Sequence, residues 1–125
     1  MAVAYLTALE VVAIHDALVE IFGGAFGIRD LGALEAAVFR PQAGYYEDRI
    51  SEAAALWESI ILNHPFLDGN KRTALASADI HLRLNGFVLD LDPAEASDFI
   101  DGLFQEGAMR IDRIEPWLRE RARHF

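Results

Sequence analysis

The residues of this chain that could do chemistry are concentrated in one short segment, residues 64–73, which reads His-Pro-Phe-Leu-Asp-Gly-Asn-Lys-Arg-Thr. The segment brings an imidazole, a carboxylate, an amide and two cations to a place where a helix is expected to begin. The first N–H groups of a helix lack intrahelical partners and lie at the positive end of the peptide dipoles, so a helix start binds phosphate readily. A base, a metal ligand and a phosphate cradle in one segment indicate phosphoryl or nucleotidyl transfer.

Two of these residues are candidates for direct roles at a reacting phosphate. His64 could act as a general base that takes the proton of an attacking hydroxyl, since histidine titrates near neutral pH. The alternative is a histidine that only favours the dipole at a helix C-terminus. Asp68 could cap the following helix and also hold Mg²⁺, which prefers one or two carboxylates together with phosphate oxygens. Capping alone would also explain an aspartate here.

The next four residues are candidates for phosphate binding. Gly69 would let a phosphate approach the backbone, and Asn70 would add an amide donor. Lys71 and Arg72 would neutralise phosphate oxygens as the bond breaks, which is a large contribution in such reactions. An ordinary Asp-Gly turn followed by a solvated helix surface is the structural alternative for the same residues.

The overall charge makes these two cations stand out. The 125 residues include 11 basic and 20 acidic side chains, for a formal charge of −9. Such a surface repels phosphate backbones, so direct nucleic-acid binding is not expected. The absence of cysteine excludes disulfides and thiolate metal sites. No apolar run is long enough to predict a membrane span, and residues 1–5 lack the basic start of a signal peptide, so a cytoplasmic location is expected.

The elements that must position the segment are predicted to be helices. Apolar residues at helical spacing predict six of them, at about residues 8–22, 31–40, 51–63, 69–84, 93–106 and 111–122. Their expected N-caps, in chain order for the first five, are Thr7, Asp30, Ser51, Asp68 and Asp92. A loop is expected at 41–50 and a short extended piece at 87–89. The third helix is apolar on most faces, which places it with the fourth at the centre of a compact all-α bundle. Residues 1–125 are expected to form a single domain.

The segment from His64 to Arg72 also resembles the signature of the Fic/Doc superfamily, His-Pro-Phe-x-(Asp/Glu)-Gly-Asn-(Gly/Lys)-Arg, at every position. The likeness covers roughly residues 5–120. Further matches to the Doc branch, in order and spacing, are Leu6-Thr7, Ile14-His15-Asp16, Phe22-Gly23-Gly24, Gly27-Ile28-Arg29-Asp30 and Arg40-Pro41-Gln42. The resemblance implies a Fic/Doc-like bundle of about six helices that uses ATP and Mg²⁺, with the central helix pair carrying the motif.

Two chemistries share this scaffold. Fic proteins that transfer AMP to a protein hydroxyl typically end the motif with Gly-Asn-Gly-Arg-x-x-Arg, whereas this chain has Lys71 and Leu75 in place of the second glycine and the last arginine. The Doc branch carries the Asn-Lys-Arg form and is a kinase that presents ATP in reversed orientation. The resemblance therefore implies a toxin that phosphorylates a Ser/Thr hydroxyl of the translation factor EF-Tu and halts translation. AMP transfer remains the alternative.

The resemblance also implies partners. The self-inhibitory motif of some Fic proteins, Ser/Thr-x-x-x-Glu-Gly/Asn, is not matched, because Gly102 precedes Glu106-Gly107 at the Ser/Thr position. A separate Phd-like antitoxin of a type II toxin–antitoxin system is implied instead, with a helix lying in an apolar groove. Tyr5, Phe104 and Trp117 could line that groove or belong to the core. A non-catalytic binding module of the same fold, or a co-repressor that does not read DNA bases, is the remaining interpretation.

Overall fold

The computed structural model describes residues 2–125 and confirms the all-α prediction. The described chain contains six α-helices, one 3₁₀ turn and one small antiparallel sheet. The helices are α1 Ala8–Phe22, α2 Leu31–Phe39, α3 Arg49–Asn63, α4 Asn70–Leu84, α5 Pro93–Glu106 and α6 Ile111–Arg121; the 3₁₀ turn is Arg40–Gln42, and the strands are β1 Phe87–Leu89 and β2 Ala122–His124. No helix among the described residues is long and apolar enough to cross a membrane.

Helices α3 and α4 form the centre of the bundle. Trp57, Ile60 and Ile61 of α3 are fully buried, because α3 packs against α2, α4 and α6 at once. On α4, Ala74 and Ala78 are small and completely buried, which lets the two helices approach each other closely. The central position predicted for this pair is confirmed. The pair holds the loop 64–69 at one end of the bundle.

Several predicted helix ends are confirmed. Thr7 forms a full capping box with Glu10, and the Asp30 and Asp92 carboxylates each accept an N–H of the helix that follows. Gly23 ends α1 with a positive φ of 84°. Each of these ends combines a local polar side chain or a glycine with an adjacent apolar run, which is why sequence alone located them.

Two predicted caps are wrong. Helix α3 begins at Arg49 with Asp48 as its N-cap, and the Asp48 carboxylate accepts the N–H of Ser51 at 2.9 Å. Ser51, predicted as the cap, lies inside the first turn of the helix. Helix α4 begins at Asn70 with Gly69 as its N-cap and no side-chain cap. Asp68 does not cap it, because the left-handed conformation of Gly69 (φ 77°) turns the chain between Asp68 and the helix.

The small sheet was only half predicted. The extended piece at 87–89 is confirmed as β1, but it pairs antiparallel with β2, and Phe87 lies opposite His124. Their rings are 4.1 Å apart. Residue 122 was predicted to end the sixth helix, whereas α6 stops at Arg121 and the chain becomes extended. A three-residue strand gains its hydrogen bonds from a partner distant in sequence, so local periodicity carries no signal of it.

Candidate active site

The six predicted site residues lie around the loop that joins α3 to α4. His64 is the C-cap of α3, in a left-handed conformation with φ 46° and ψ 59°. Among residues 2–125 it is the only non-glycine residue with positive φ. Gly69, Asn70, Lys71 and Arg72 form the N-cap and first turn of α4. The loop therefore places the predicted base on one side and the predicted phosphate cradle on the other.

Phe66 anchors this loop in the core. It is 1% exposed and stacks on the buried ring of His15, with centroids 3.9 Å apart and planes 6° from parallel. His15 Nε2 donates to the main-chain oxygen of Asp68 at 2.8 Å, and His15 Nδ1 lies 3.1 Å from the Asp16 carboxylate. One buried imidazole from α1 thus contacts both halves of the loop.

The Asn70 side chain closes the loop from within. Its Oδ1 accepts the N–H of Phe66 at 3.1 Å, and its Nδ2 donates to the Phe66 carbonyl at 3.0 Å. The side-chain amide thus pairs with the N–H and the carbonyl of one residue, as the main chain of a neighbouring strand would. This contact uses one of the two N–H bonds of the amide. The second N–H is the one left for the predicted contact with phosphate. The observed contacts of Asn70 therefore stabilise the loop.

The Asp68 carboxylate is exposed and bound only by main-chain donors. Its Oδ1 accepts the N–H of Gly69 at 2.9 Å, and its Oδ2 accepts the N–H of Ala25 at 3.2 Å. Each carboxylate oxygen keeps a further acceptor position, so the donor set fits a single carboxylate ligand for a cation that takes its other ligands from phosphate and water. The described residues hold no group of three or more His, Asp or Glu side chains arranged around a common metal position.

The two cations are held weakly, and each lies over an aromatic ring. Lys71 Nζ is 4.4 Å from the centre of the Phe104 ring and 3.9 Å from the Asp101 carboxylate. The Arg72 guanidinium lies 4.5 Å from the centre of the Phe22 ring. Exposed cation–π contacts contribute only about 0.5–1 kcal/mol, so a phosphate could draw both side chains away. No acidic residue occurs in the first turn of α4, which leaves this helix start electropositive.

The segment 23–30, between α1 and α2, is a part of the site that sequence reasoning missed. Gly27 O accepts the N–H of Leu67 at 3.1 Å, and Ile28 forms an isolated antiparallel bridge with Phe66. A Cβ atom on Gly24 would stand only 2.8 Å from Asp68 Oδ2. The glycines at 23, 24 and 27 were the available signal, but they entered the sequence analysis only as positions of the family likeness.

Arg29 is the other residue that sequence reasoning gave no role. Its Nε donates to the His64 carbonyl at 2.6 Å, and its Nη2 donates to the Asn63 carbonyl at 2.5 Å. The main-chain N–H groups of Arg29 and Asp30 both donate to Pro65 O, at 2.7 and 3.1 Å. Nothing in the local sequence signals these contacts, because they join segments about 35 residues apart.

Of the three aromatic residues that could line a partner groove, Trp117 packs against the core, and Tyr5 contacts the buried side chains of Glu52 and His81. Tyr5 donates from its hydroxyl to Glu52 at 2.9 Å. Trp117 stacks on Phe99 with ring centres 4.6 Å apart. Phe104 is 38% exposed and holds Lys71, so it lies beside the predicted phosphate cradle.

Comparison with known proteins gives consistent matches. The sequence model of the Fic/DOC family matches residues 5–82, which include the whole loop and the segment 23–30. The protein named Toxin Doc from Mycolicibacterium smegmatis is 46% identical over 87 residues, which cover 64% of this chain and 67% of that protein. The protein named Protein kinase doc from Escherichia phage P1 is 36% identical over 114 residues, which cover 88% of this chain and 89% of that protein.

Proposed function

This chain belongs to the Fic/DOC family, in its Doc branch, and on that premise we propose that it is a toxin that transfers the γ-phosphoryl group of ATP to a Ser/Thr hydroxyl of a translation factor. The observation that carries the proposal is the loop geometry. The one non-glycine residue held in a left-handed conformation among residues 2–125 is the predicted base, and it begins the loop that leads into the electropositive start of α4. A fold that needed only a turn here would favour glycine or asparagine at that position.

The proposed reaction assigns one task to each residue. His64 takes the proton of the attacking hydroxyl while the hydroxyl oxygen forms a bond to the γ-phosphorus. The bond from that phosphorus to the bridging oxygen breaks, and ADP leaves with the electron pair. Lys71 and Arg72, with the N–H groups of Gly69 and Asn70, stabilise the negative charge on the phosphate oxygens. Asp68 would hold Mg²⁺, which supplies further charge neutralisation when it is bound.

Kinase chemistry is favoured over AMP transfer by two positions of the motif. Lys71 takes the place of a glycine, and its side chain extends over α5 to Phe104 and Asp101. Leu75 takes the place of the last arginine and packs against the apolar core. The name of the phage P1 relative, Protein kinase doc, agrees with this choice.

The partners of this toxin are proposed from the same family membership. A protein with EF-Tu-like character would be the phosphate acceptor, and its modification would halt translation in the cytoplasm. A Phd-like antitoxin would neutralise the toxin by laying a helix into an apolar groove. The names of both relatives support this proposal, since one is called a toxin and both are called Doc. Residues 1–125 would form a single Fic/Doc-like domain.

The position of the radiolabel separates the two transfer reactions. The chain is incubated with purified EF-Tu, Mg²⁺ and ATP that is labelled at either the α- or the γ-phosphorus. Labelling of EF-Tu from γ-labelled ATP only supports the kinase, whereas labelling from α-labelled ATP only would establish AMP transfer. The His64→Ala variant should label neither way, and His124→Ala, an exposed histidine of β2, is the matched control that should label normally.

A further inference from the structure

We propose that Arg29 is a positioning residue for His64: its guanidinium clamps the last turn of α3 and keeps His64 in the left-handed conformation that its role as a base requires. The inference rests on the proposed function for its catalytic consequence. Arg29 lies outside the motif, and the proposed reaction gives it no contact with ATP or with the acceptor hydroxyl.

The clamp consists of two hydrogen bonds from one planar group. Nε donates to the carbonyl of His64 at 2.6 Å and Nη2 to the carbonyl of Asn63 at 2.5 Å. Both carbonyls belong to the end of α3, where the last C=O groups lack intrahelical partners. A guanidinium presents its donors in a fixed fork and is always charged, so it satisfies both oxygens and also favours the negative end of the helix dipole.

The clamp acts where the backbone is strained. His64 has φ 46°, a region that costs free energy for any residue with a Cβ atom and that glycine adopts freely. Helices often end in this conformation, but usually with glycine. A glycine has no imidazole, so a chain that needs a base at this position must hold a strained residue by other contacts. The surrounding hydrogen bonds must therefore favour the strained state.

The main chain of Arg29, from which the clamp extends, is itself held in place by hydrogen bonds. The Arg29 main-chain N–H donates to Pro65 O at 2.7 Å, one peptide beyond the carbonyl that its side chain contacts. The next residue, Asp30, donates to the same oxygen and also caps α2. Arg29 thus contacts residues 63, 64 and 65 in succession, from a position tied to the start of a helix. It therefore binds the peptide oxygens of three successive residues in the turn that carries the imidazole.

Kinetics of Arg29 variants test the catalytic consequence. Because a misplacement of about 1 Å can cost 10²-fold in rate, Arg29→Ala should lower kcat by about 100-fold while the Kd for a non-hydrolysable ATP analogue stays within about twofold. Arg29→Lys should recover part of kcat, since an ammonium can still donate to these carbonyls. The matched control is Arg123→Ala: Arg123 donates to the carbonyls of Glu120 and Ala122 at the end of α6, and its loss should leave kcat unchanged. A wild-type kcat in Arg29→Ala would overturn the inference.

A double-mutant cycle tests the clamp without relying on activity. Arg29→Ala should lower Tm by about 4 °C in the parent chain, and by clearly less in the His64→Gly background, because glycine needs no help to remain left-handed. Equal Tm losses in the two backgrounds would overturn the inference even if the chain proves to be a kinase. A parent chain that labels no acceptor would instead contradict the proposed function, and the melting cycle would still decide the role of Arg29.

Discussion

The two ends of the α3–α4 pair hold polar residues in opposite ways. The end formed by the start of α3 and the end of α4 contains a buried network around Glu52, whose carboxylate contacts His81 at 3.1 Å, Arg49 at 2.9 Å and Tyr5 at 2.9 Å. Glu52 and His81 are 2% and 1% exposed. Burial lowers the pKa of His81 although the hydrogen bond with Glu52 opposes it, and burial together with Glu52 raises the pKa of the Tyr5 hydroxyl.

The loop end, by contrast, leaves Asp68, Lys71 and Arg72 exposed and bound weakly or by main-chain groups only. Asp68 accepts two backbone N–H groups, while Lys71 and Arg72 lie over ring faces. Buried polar groups must be paired or they cost stability, whereas groups that bind a substrate must be free to exchange partners. The same helix pair therefore uses its polar residues for stability at one end and keeps them available at the other.

The largest expected effect comes from the histidines of the two ends. His64→Gln should lower phosphoryl transfer by about 10²- to 10⁴-fold, because it removes the proposed general base, and the free energy of unfolding should change by less than about 0.5 kcal/mol. His81→Gln should lower the free energy of unfolding and leave phosphoryl transfer by the folded protein unchanged. Transfer rates and chemical denaturation of both variants measure the contrast. If His64→Gln retains activity, the catalytic assignment of the loop end is wrong.

Glu52→Ala should destabilise the chain by about 3 kcal/mol, because it leaves His81, Arg49 and Tyr5 without the carboxylate that all three contact. Glu35→Ala, an exposed glutamate of α2, is the matched control and should stay within about 0.5 kcal/mol of the parent. Urea denaturation measures both. Phosphoryl transfer by the folded fraction should be unchanged, and a marked loss of kcat would show that the two ends do not act independently.

Two substitutions of His64 should differ from each other in stability although both remove the proposed base. His64→Gly should be more stable than His64→Ala by about 1 kcal/mol, since only the alanine keeps the cost of a Cβ atom at positive φ. Denaturation midpoints of the two variants measure the difference. Equal stabilities would mean that the left-handed conformation at this position is not a source of strain.

The smallest effect concerns Asp48 at the buried-network end. Hydrogen bonds from Arg119 lower the pKa of this carboxyl to about 2. A lowered pKa means that the unfolded chain binds the proton first as the pH falls, so the ion pair stabilises the fold above about pH 4 and loses that effect as the pH approaches 2. The pair is nearly half exposed, and solvent screening limits its contribution to about 1 kcal/mol or less.

The Asp48→Asn variant isolates that titration, because asparagine is an equally good N-cap. Its stability should fall less steeply than that of the parent between pH 4 and pH 2, as thermal melting across this range would show. Arg119→Gln should remove the same acid-dependent stabilisation, because it takes away the cation of the pair. An unchanged acid profile in both variants would contradict the role of the pair.

The sequence predicted the helices and gathered the candidate site residues into one segment, but it did not predict the contacts that shape this segment. Capping residues such as Thr7 and Asp92 act within one helical turn, so a local pattern identifies them. The motif is also local, since its six predicted residues all lie within positions 64–72. The family likeness included residues 23–30 among the matching positions, but it did not show that this segment contacts the loop.

What the sequence could not predict depends on distant pairing or on backbone conformation. Asp68 looked like a cap because aspartate before a helix usually is one, yet Gly69 turns the chain and leaves the carboxylate to accept the N–H of Ala25. Strand β2 exists only through β1, and the contacts of Arg29 and His15 with the loop cross 35 and 53 positions of sequence. Contacts between such distant segments produce no regular spacing of residue types along the sequence.

The backbone conformation and the surroundings of Gly24 make this position sensitive to substitution. Any side chain at this position would have to displace the Asp68 carboxylate, since a Cβ atom would lie 2.8 Å from it, and the φ of 116° disfavours every other L-residue. The target for inactivating mutations is therefore wider than the motif, and it includes a codon more than forty positions upstream. Wherever expression of the chain selects for its own inactivation, sequenced survivors should carry alleles of Gly24 alongside alleles of the motif.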